Sequence, residues 1–200
     1  MTKTIRYYYT HVSPWSYLGH ERLGDIAARH GAIIDPVPVS MGAIFPKTGG
    51  LPLAKRAPER QAYRLVELRR WPQRLGIPLN VEPAHFPTDD RPSARLALAA
   101  KARGHDIAAL SLALMRACWV EERDIADLET LREIADACGL EGRVLLDDAQ
   151  SDAGRQRLEQ AGQAALADGC FGAPWYLVDD EPFWGQDRLE LVEAAVGRRD

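Results

Sequence analysis

Three short segments of the chain carry residues whose type and spacing suit chemistry. The first is Ser13-Pro14-Trp15-Ser16, which follows a β-rich run and opens a helical pattern. A helix N-terminus presents unpaired amides and the positive end of the helix dipole, so it stabilises a nearby anion such as a thiolate. Serine at both 13 and 16 excludes a redox disulfide there, yet a serine hydroxyl still donates a hydrogen bond to a thiolate that a ligand brings. The plain alternative is that Ser13 is only an N-cap, with Pro14 at the favoured first helical position. The second segment is Gly169-Cys170-Phe171-Gly172-Ala173-Pro174-Trp175. A proline entering a strand after a glycine-bearing loop is a place for a cis peptide bond, against the alternative of a trans proline starting an edge strand. The third is Phe183-Trp184-Gly185-Gln186-Asp187-Arg188, where Asp187 reads either as the N-cap of a closing helix or as a carboxylate for a ligand ammonium group.

The remaining reactive side chains offer less. His11 lies two residues before Ser13, and strand alternation would turn both to one side, making His11 a candidate proton shuttle; the alternative is a histidine on a half-exposed strand. The other histidines, at 20, 30, 85 and 105, lack metal-ligand spacing, and no metal site is expected. Three cysteines without a CxxC pair give neither a disulfide framework nor a zinc site. Cys118 and Cys138 read as packing residues, whereas Cys170, in a loop beside Pro174, is held open as a reactive thiol. With 25 basic against 29 acidic residues and no basic block, binding through nucleic-acid phosphates is not expected. No apolar run is long enough for a membrane span, and the N-terminus lacks a signal-peptide pattern, so a cytoplasmic location is expected.

The elements that must position these residues follow from periodicity. Thr4 to Val12 reads as a strand, Pro14 to His30 as a helix stopped by Gly31, and Ala32 to Val39 as a second, parallel strand. From Leu53 to Asp168 the pattern is helical, with breaks at Gly76-Ile77-Pro78, Thr88 to Pro92, Gly104 to Asp106 and Gly139. Helices are expected around Leu65 to Leu75 and over Ala94 to Arg103, Ile107 to Val120, Ile125 to Cys138 and Ser151 to Asp168. Pro174 to Val178 and Pro182 to Trp184 then form a hairpin, and Asp187 to Ala194 a closing helix. The order β-α-β, helical block, β-β-α predicts an α/β thioredoxin-like domain, residues 1–52 and 165–200, with a large all-helical insertion, residues 53–164.

Taken together, SPWSYLG near the start, the Gly-Ile-Pro and His-Phe-Pro stretches, and the terminal GxFGAPxxxVDxxxFxGQDRL resemble the 2-hydroxychromene-2-carboxylate isomerases, relatives of kappa-class glutathione transferases. The resemblance covers almost the whole chain. It implies a glutathione-dependent, usually dimeric enzyme acting on an aromatic small molecule, with Ser13 as the catalytic residue holding the glutathione sulfur. It further implies that the Ala173 backbone beside Pro174 pairs with the cysteinyl part, and that Gln186 and Asp187 bind the γ-glutamyl end. Arg60, with Lys55 and Arg56 as alternatives, would take the glycyl carboxylate. Lys47 to Pro52 would form a loop over the site, and Trp15 and Tyr17 would line the substrate pocket. In such enzymes a thiolate adds reversibly to the conjugated substrate, a bond rotates, and elimination releases the isomer. A kappa-like glutathione transferase and a non-catalytic thiol- or peptide-binding module are the other readings. This chain has Thr10 and His11 where many relatives have an aspartate and an aromatic residue.

Overall fold

The computed structural model describes residues 2–198. Four strands form one mixed sheet in the order β2-β1-β3-β4: β1 is Thr4–Tyr9, β2 Ile33–Pro38, β3 Trp175–Val178 and β4 Glu181–Trp184. β1 runs parallel to β2 and antiparallel to β3, in the register Tyr7 opposite Pro36 and Tyr176. Pro36 and Pro38 sit on the edge strand β2, where a missing ladder donor is tolerated. Asp179 and Asp180 both take positive φ in the two-residue turn joining β3 and β4, a backbone twist that matches the strands on either side.

Aromatic and β-branched residues make β1 a good strand, and its alternation divides the core. Ile5, Tyr7 and Tyr9 face one apolar cluster, shared with helix α1 (Pro14–His30), α4 (Arg91–Ala102), α5 (Ala108–Trp119), α6 (Leu128–Ala137), α7 (Gly142–Gln150) and α9 (Leu189–Gly197). Tyr8, on the opposite face, packs with Met41 and Ile44 of α2 (Met41–Thr48), Ala161 and Ala165 of α8 (Asp152–Ala167), and Trp175. On the first face the rings of Tyr7 and Tyr9 stack at 4.5 Å, and Tyr7 stacks on Tyr176 at 5.3 Å. A further helix, α3 (Pro58–Leu75), lies against α1, and Tyr17 of α1 donates its hydroxyl to the Pro78 carbonyl just beyond α3 at 3.1 Å. Among the described residues no helix is long and apolar enough to cross a membrane.

The expected order of elements is present, with three differences. Helix α2 falls where a loop from Lys47 to Pro52 was expected to begin. Its eight residues include Pro46, and it is held by Met41 and Ile44 packing beneath the sheet rather than by propensity. Helix α7 was also not anticipated, because a nine-residue stretch between Gly139 and Ser151 gives too few turns for periodicity to register. Third, α8 runs unbroken through the expected domain boundary at 164/165. Its last turns pack under β1 and β3 while the helix also contacts α4 and α7, so the helical block and the sheet share it.

Leu96, fully buried in α4, belongs to the apolar cluster that α4 shares with Tyr7 and Tyr9. Leu96→Ala is expected to lower unfolding free energy by about 2–5 kcal/mol, measured by urea denaturation, with an unchanged far-ultraviolet circular dichroism spectrum.

Candidate active site

β1 ends at Tyr9 and the chain turns through Thr10–Ser13, with the Ser13 amide donating to the Thr10 carbonyl at 3.0 Å. Ser13 then caps α1: its Oγ accepts from the Ser16 amide at 3.2 Å. The same hydroxyl donates to the Ala173 carbonyl at 3.3 Å, across to the loop that precedes β3. Capping and site-building are therefore both done by one side chain. Pro14 has no N–H and the Ser16 amide is taken, which leaves the Trp15 amide as the open donor of the first turn. The Ala173–Pro174 peptide is cis.

Directly behind this turn lies a half-buried carboxylate that sequence reasoning passed over as a helix break. Asp90, before α4, accepts from Thr10 Oγ1 (3.1 Å), Ser40 Oγ (2.6 Å) and the Met41 amide (3.1 Å). It joins the turn after β1, the start of α2 and the start of α4. Burial raises its pKa, against the lowering effect of these hydrogen bonds. The only signal in the chain was the Asp89-Asp90-Arg91-Pro92 run, which reads as an ordinary helix start.

His11 corrects the strand-alternation argument. The strand stops before it, so His11 lies within the turn, fully buried, rather than on a half-exposed strand. Desolvation, with a smaller contribution from His20, lowers its pKa to about 3, so it is neutral at physiological pH and no imidazolium shuttle. Its Nδ1 lies 3.1 Å from Ser93 Oγ. Because that hydroxyl donates to the Asp90 carbonyl at 3.1 Å, the Nδ1–H tautomer fits. Cys170 is likewise not reactive: it is buried, and desolvation pushes its thiol up to about 12.

The terminal motif is brought to α1. A Cβ on Gly19 would lie 2.9 Å from Tyr176 Oη and 3.1 Å from Gln186 Cβ, so a glycine in α1 permits this approach. Arg22 donates to the Gln186 side-chain oxygen at 2.6 Å, fixing that buried amide. Asp187 does not cap α9, as the sequence suggested. A 3-10 turn over Gln186–Arg188 comes first, and Arg188 occupies the cap position. Gly185 has φ +102°, and the Asp187 carboxylate folds back over it where a Cβ would stand. Asp187 is exposed and pairs with neighbouring Arg188 at 3.1 Å. Arg60 and Lys55 are exposed, whereas Arg56 donates to the Leu51 carbonyl at 2.9 Å and so braces the loop after α2. Trp15 is half-buried; Tyr17 is buried with its hydroxyl engaged.

Two outcomes test this arrangement. The raised Asp90 pKa means that the folded state binds more protons, so this group makes stability fall as pH rises from the ordinary carboxylate range through its elevated pKa. The difference in stability between the wild type and Asp90→Asn, followed by urea denaturation from pH 4 to 8, is expected to carry that slope. A difference independent of pH would contradict it. Iodoacetamide at pH 8 is expected to label half-buried Cys138 in the native protein and to spare Cys118 and Cys170, with all three labelled after denaturation. Rapid native labelling of Cys170, located by peptide mass mapping, would overturn its inert assignment.

Comparison with known proteins agrees with this geometry. The family description "DSBA-like thioredoxin domain" matches residues 4–197. A 2-hydroxychromene-2-carboxylate isomerase of Sphingobium xenophagum is 34% identical over 97% of this chain and 98% of its own. One from Pseudomonas putida is 30% identical, over 97% of this chain and 94% of its own. A solved structure of a 2-hydroxychromene-2-carboxylate isomerase superposes with a TM-score of 0.81, at 26% identity, covering 98% of this chain and 95% of that one. The cytosolic disulfide reductase DsbM of Pseudomonas aeruginosa, solved with GSH, shares the fold at a TM-score of 0.66 and 21% identity, over 90% of this chain and 88% of its own. With a serine-capped first turn, a cis proline beside it and relatives that match end to end, the chain belongs to the DsbA-like thioredoxin-domain family and, within it, to the enzymes of the 2-hydroxychromene-2-carboxylate isomerase group.

Proposed function

We propose that this enzyme is a glutathione-dependent isomerase of 2-hydroxychromene-2-carboxylate or a related conjugated aromatic 2-oxo acid. The observation that carries the reading is the position of Ser13: a hydroxyl at the first turn of α1, in contact with the carbonyl beside the cis proline and without a cysteine at 13 or 16. That combination keeps a thiol-binding cleft and removes disulfide exchange. The donor set fits a thiol tripeptide with two carboxylates and an ammonium group. Glutathione, when bound, supplies a thiolate that adds to the conjugated acid and leaves unchanged once the bond has rotated.

Ser13 is the residue we assign to the sulfur. Rotation about its Cβ–Oγ bond redirects the hydroxyl from the Ala173 carbonyl toward an incoming anion, and the Trp15 amide and the helix dipole favour the same negative charge. The Ala173 backbone beside Pro174 aligns the peptide part of the ligand. Gln186, steadied by Arg22, and Asp187 receive the γ-glutamyl end, and exposed Arg60 receives the glycyl carboxylate. Trp15 forms one wall for the aromatic substrate, with Tyr17 holding that wall in place through Pro78. His11 serves as a neutral brace of the turn that presents Ser13. The holding of two partners in attack geometry is the larger part of the protein's contribution.

Equilibration of a hydroxychromene carboxylate, followed by ultraviolet absorbance, is expected to require reduced glutathione and to leave its concentration unchanged. Ser13→Ala is expected to lower kcat by roughly 10²- to 10³-fold, in line with loss of one donor to a developing anion. Asp187→Ala is expected to weaken glutathione binding in calorimetric titration by about tenfold. A rate independent of glutathione, or unaffected by Ser13→Ala, would overturn the reading, and a thioether product would identify a transferase instead.

A further inference from the structure

Arg64 is a cation of α3 that sequence reasoning did not single out. It is half-buried, its guanidinium carbon lies 5.1 Å from the Phe86 ring centroid and 5.9 Å from that of Trp119, and among the described residues it forms no ion pair. Arg70, Arg91, Arg123 and Arg132, by contrast, each lie against a carboxylate on the surface. Desolvation, with a smaller contribution from the nearby Arg56 cation, lowers the Arg64 pKa to about 10, so it remains charged at neutral pH. A cation withdrawn from water without a counter-charge is unfavourable unless an anion completes it. The Trp119 ring that Arg64 lies over is fully buried, and the indole Nε1 has no hydrogen-bond acceptor among the described residues. Arg64 thus lies over two aromatic rings whose centroids are 4.9 Å apart, with no carboxylate partner among the described residues.

We propose that Arg64 binds the carboxylate of an aromatic 2-hydroxy- or 2-oxo-acid substrate. The assignment rests on the isomerase reading for the substrate class. A guanidinium offers a carboxylate two parallel N–H donors, and half-buried Phe86 offers a flat acid an apolar, quadrupolar neighbour. Placement supports it as well. α3 lies against α1, and Trp15, two residues past Ser13, packs on the same apolar cluster as Phe86 and Trp119. Arg60 and Arg64 are one helical turn apart, so one helix carries a cation for each of two anionic partners. The acid would then be recognised by α3 while the attacking sulfur is held at the start of α1.

The test uses 2-hydroxybenzoate and 2-hydroxybenzamide as unreactive probes, titrated into the wild type, Arg64→Met and Arg64→Lys by tryptophan fluorescence and calorimetry. The benzoate is expected to bind the wild type at least tenfold more tightly than the amide, and Arg64→Met to lose roughly 10- to 100-fold of benzoate affinity with amide affinity unchanged. Arg64→Lys, which keeps charge and stem but loses the fork, is expected to fall between them and guards against failure of the methionine variant to fold. Equal wild-type affinity for the two probes, no binding of either, or unchanged benzoate affinity in Arg64→Met would overturn the proposal. Glutathione is titrated into the same proteins. Loss of glutathione affinity in Arg64→Met without loss of benzoate affinity would assign Arg64 to the tripeptide and overturn the proposal. No glutathione binding in the wild type, with benzoate discrimination intact, would overturn the glutathione reading and leave Arg64 as the carboxylate residue.

Discussion

The site depends on a half-buried carboxylate that makes no ion pair among the described residues. Asp90 gathers Thr10, Ser40 and the Met41 amide, and in doing so ties the turn that presents Ser13 to the first residues of α2 and α4. Three hydrogen bonds compensate for the desolvation of one charge, and the raised pKa shows that burial still outweighs them. Breaking such a network leaves donors from three segments unpaired, each a penalty of about 1–3 kcal/mol. The Ser93 and His11 contacts extend the same network. His11 is consequently a neutral part of the scaffold, and its sequence proximity to Ser13 reflects the tightness of the turn.

Around this network the protein divides its polar labour by burial. Exposed arginines on the helical block lie against carboxylates at the surface, where each pair contributes little to stability. The cations near the cleft differ: Arg56 braces a backbone carbonyl, Arg60 is exposed, and Arg64 lies on aromatic rings. These three cations lie within nine residues of one another on a chain whose formal net charge is −4. On the other side of Ser13, Arg22 is committed to Gln186, which leaves the Asp187 carboxylate accessible beside Arg188.

Much of this was legible from one sequence. Strands announced by YYY and WYLV, the Ser13-Pro14 helix start and the Gly31 stop are local features, encoded within a few residues of where they act. The cis bond before Pro174 and the hairpin after it belong to the same class. Helices α2 and α7 were not legible, because segments of eight and nine residues are stabilised by what they pack against. Asp187 was legible as a polar residue at an element start, yet the positive φ of Gly185 and the 3-10 turn decide that it does not cap α9. Cys170 illustrates the same limit: its chemistry is set by burial among Tyr8, Val39 and Trp175, none of which is adjacent to it in the chain.

The sequence alone determined the order of elements, the loss of disulfide chemistry through serine at 13 and 16, and the serine cap at the start of α1. These follow from backbone preference and side-chain type, which act over one or two turns. The tertiary structure alone decided that His11 is neutral, that Asp90 holds the site together, and that Arg64 meets Trp119. His11 and Ser93 are 82 residues apart in the chain, and Thr10 and Asp90 are 80. No local pattern encodes such pairs, because a pKa and a hydrogen-bond partner depend on which groups the fold removes from water together.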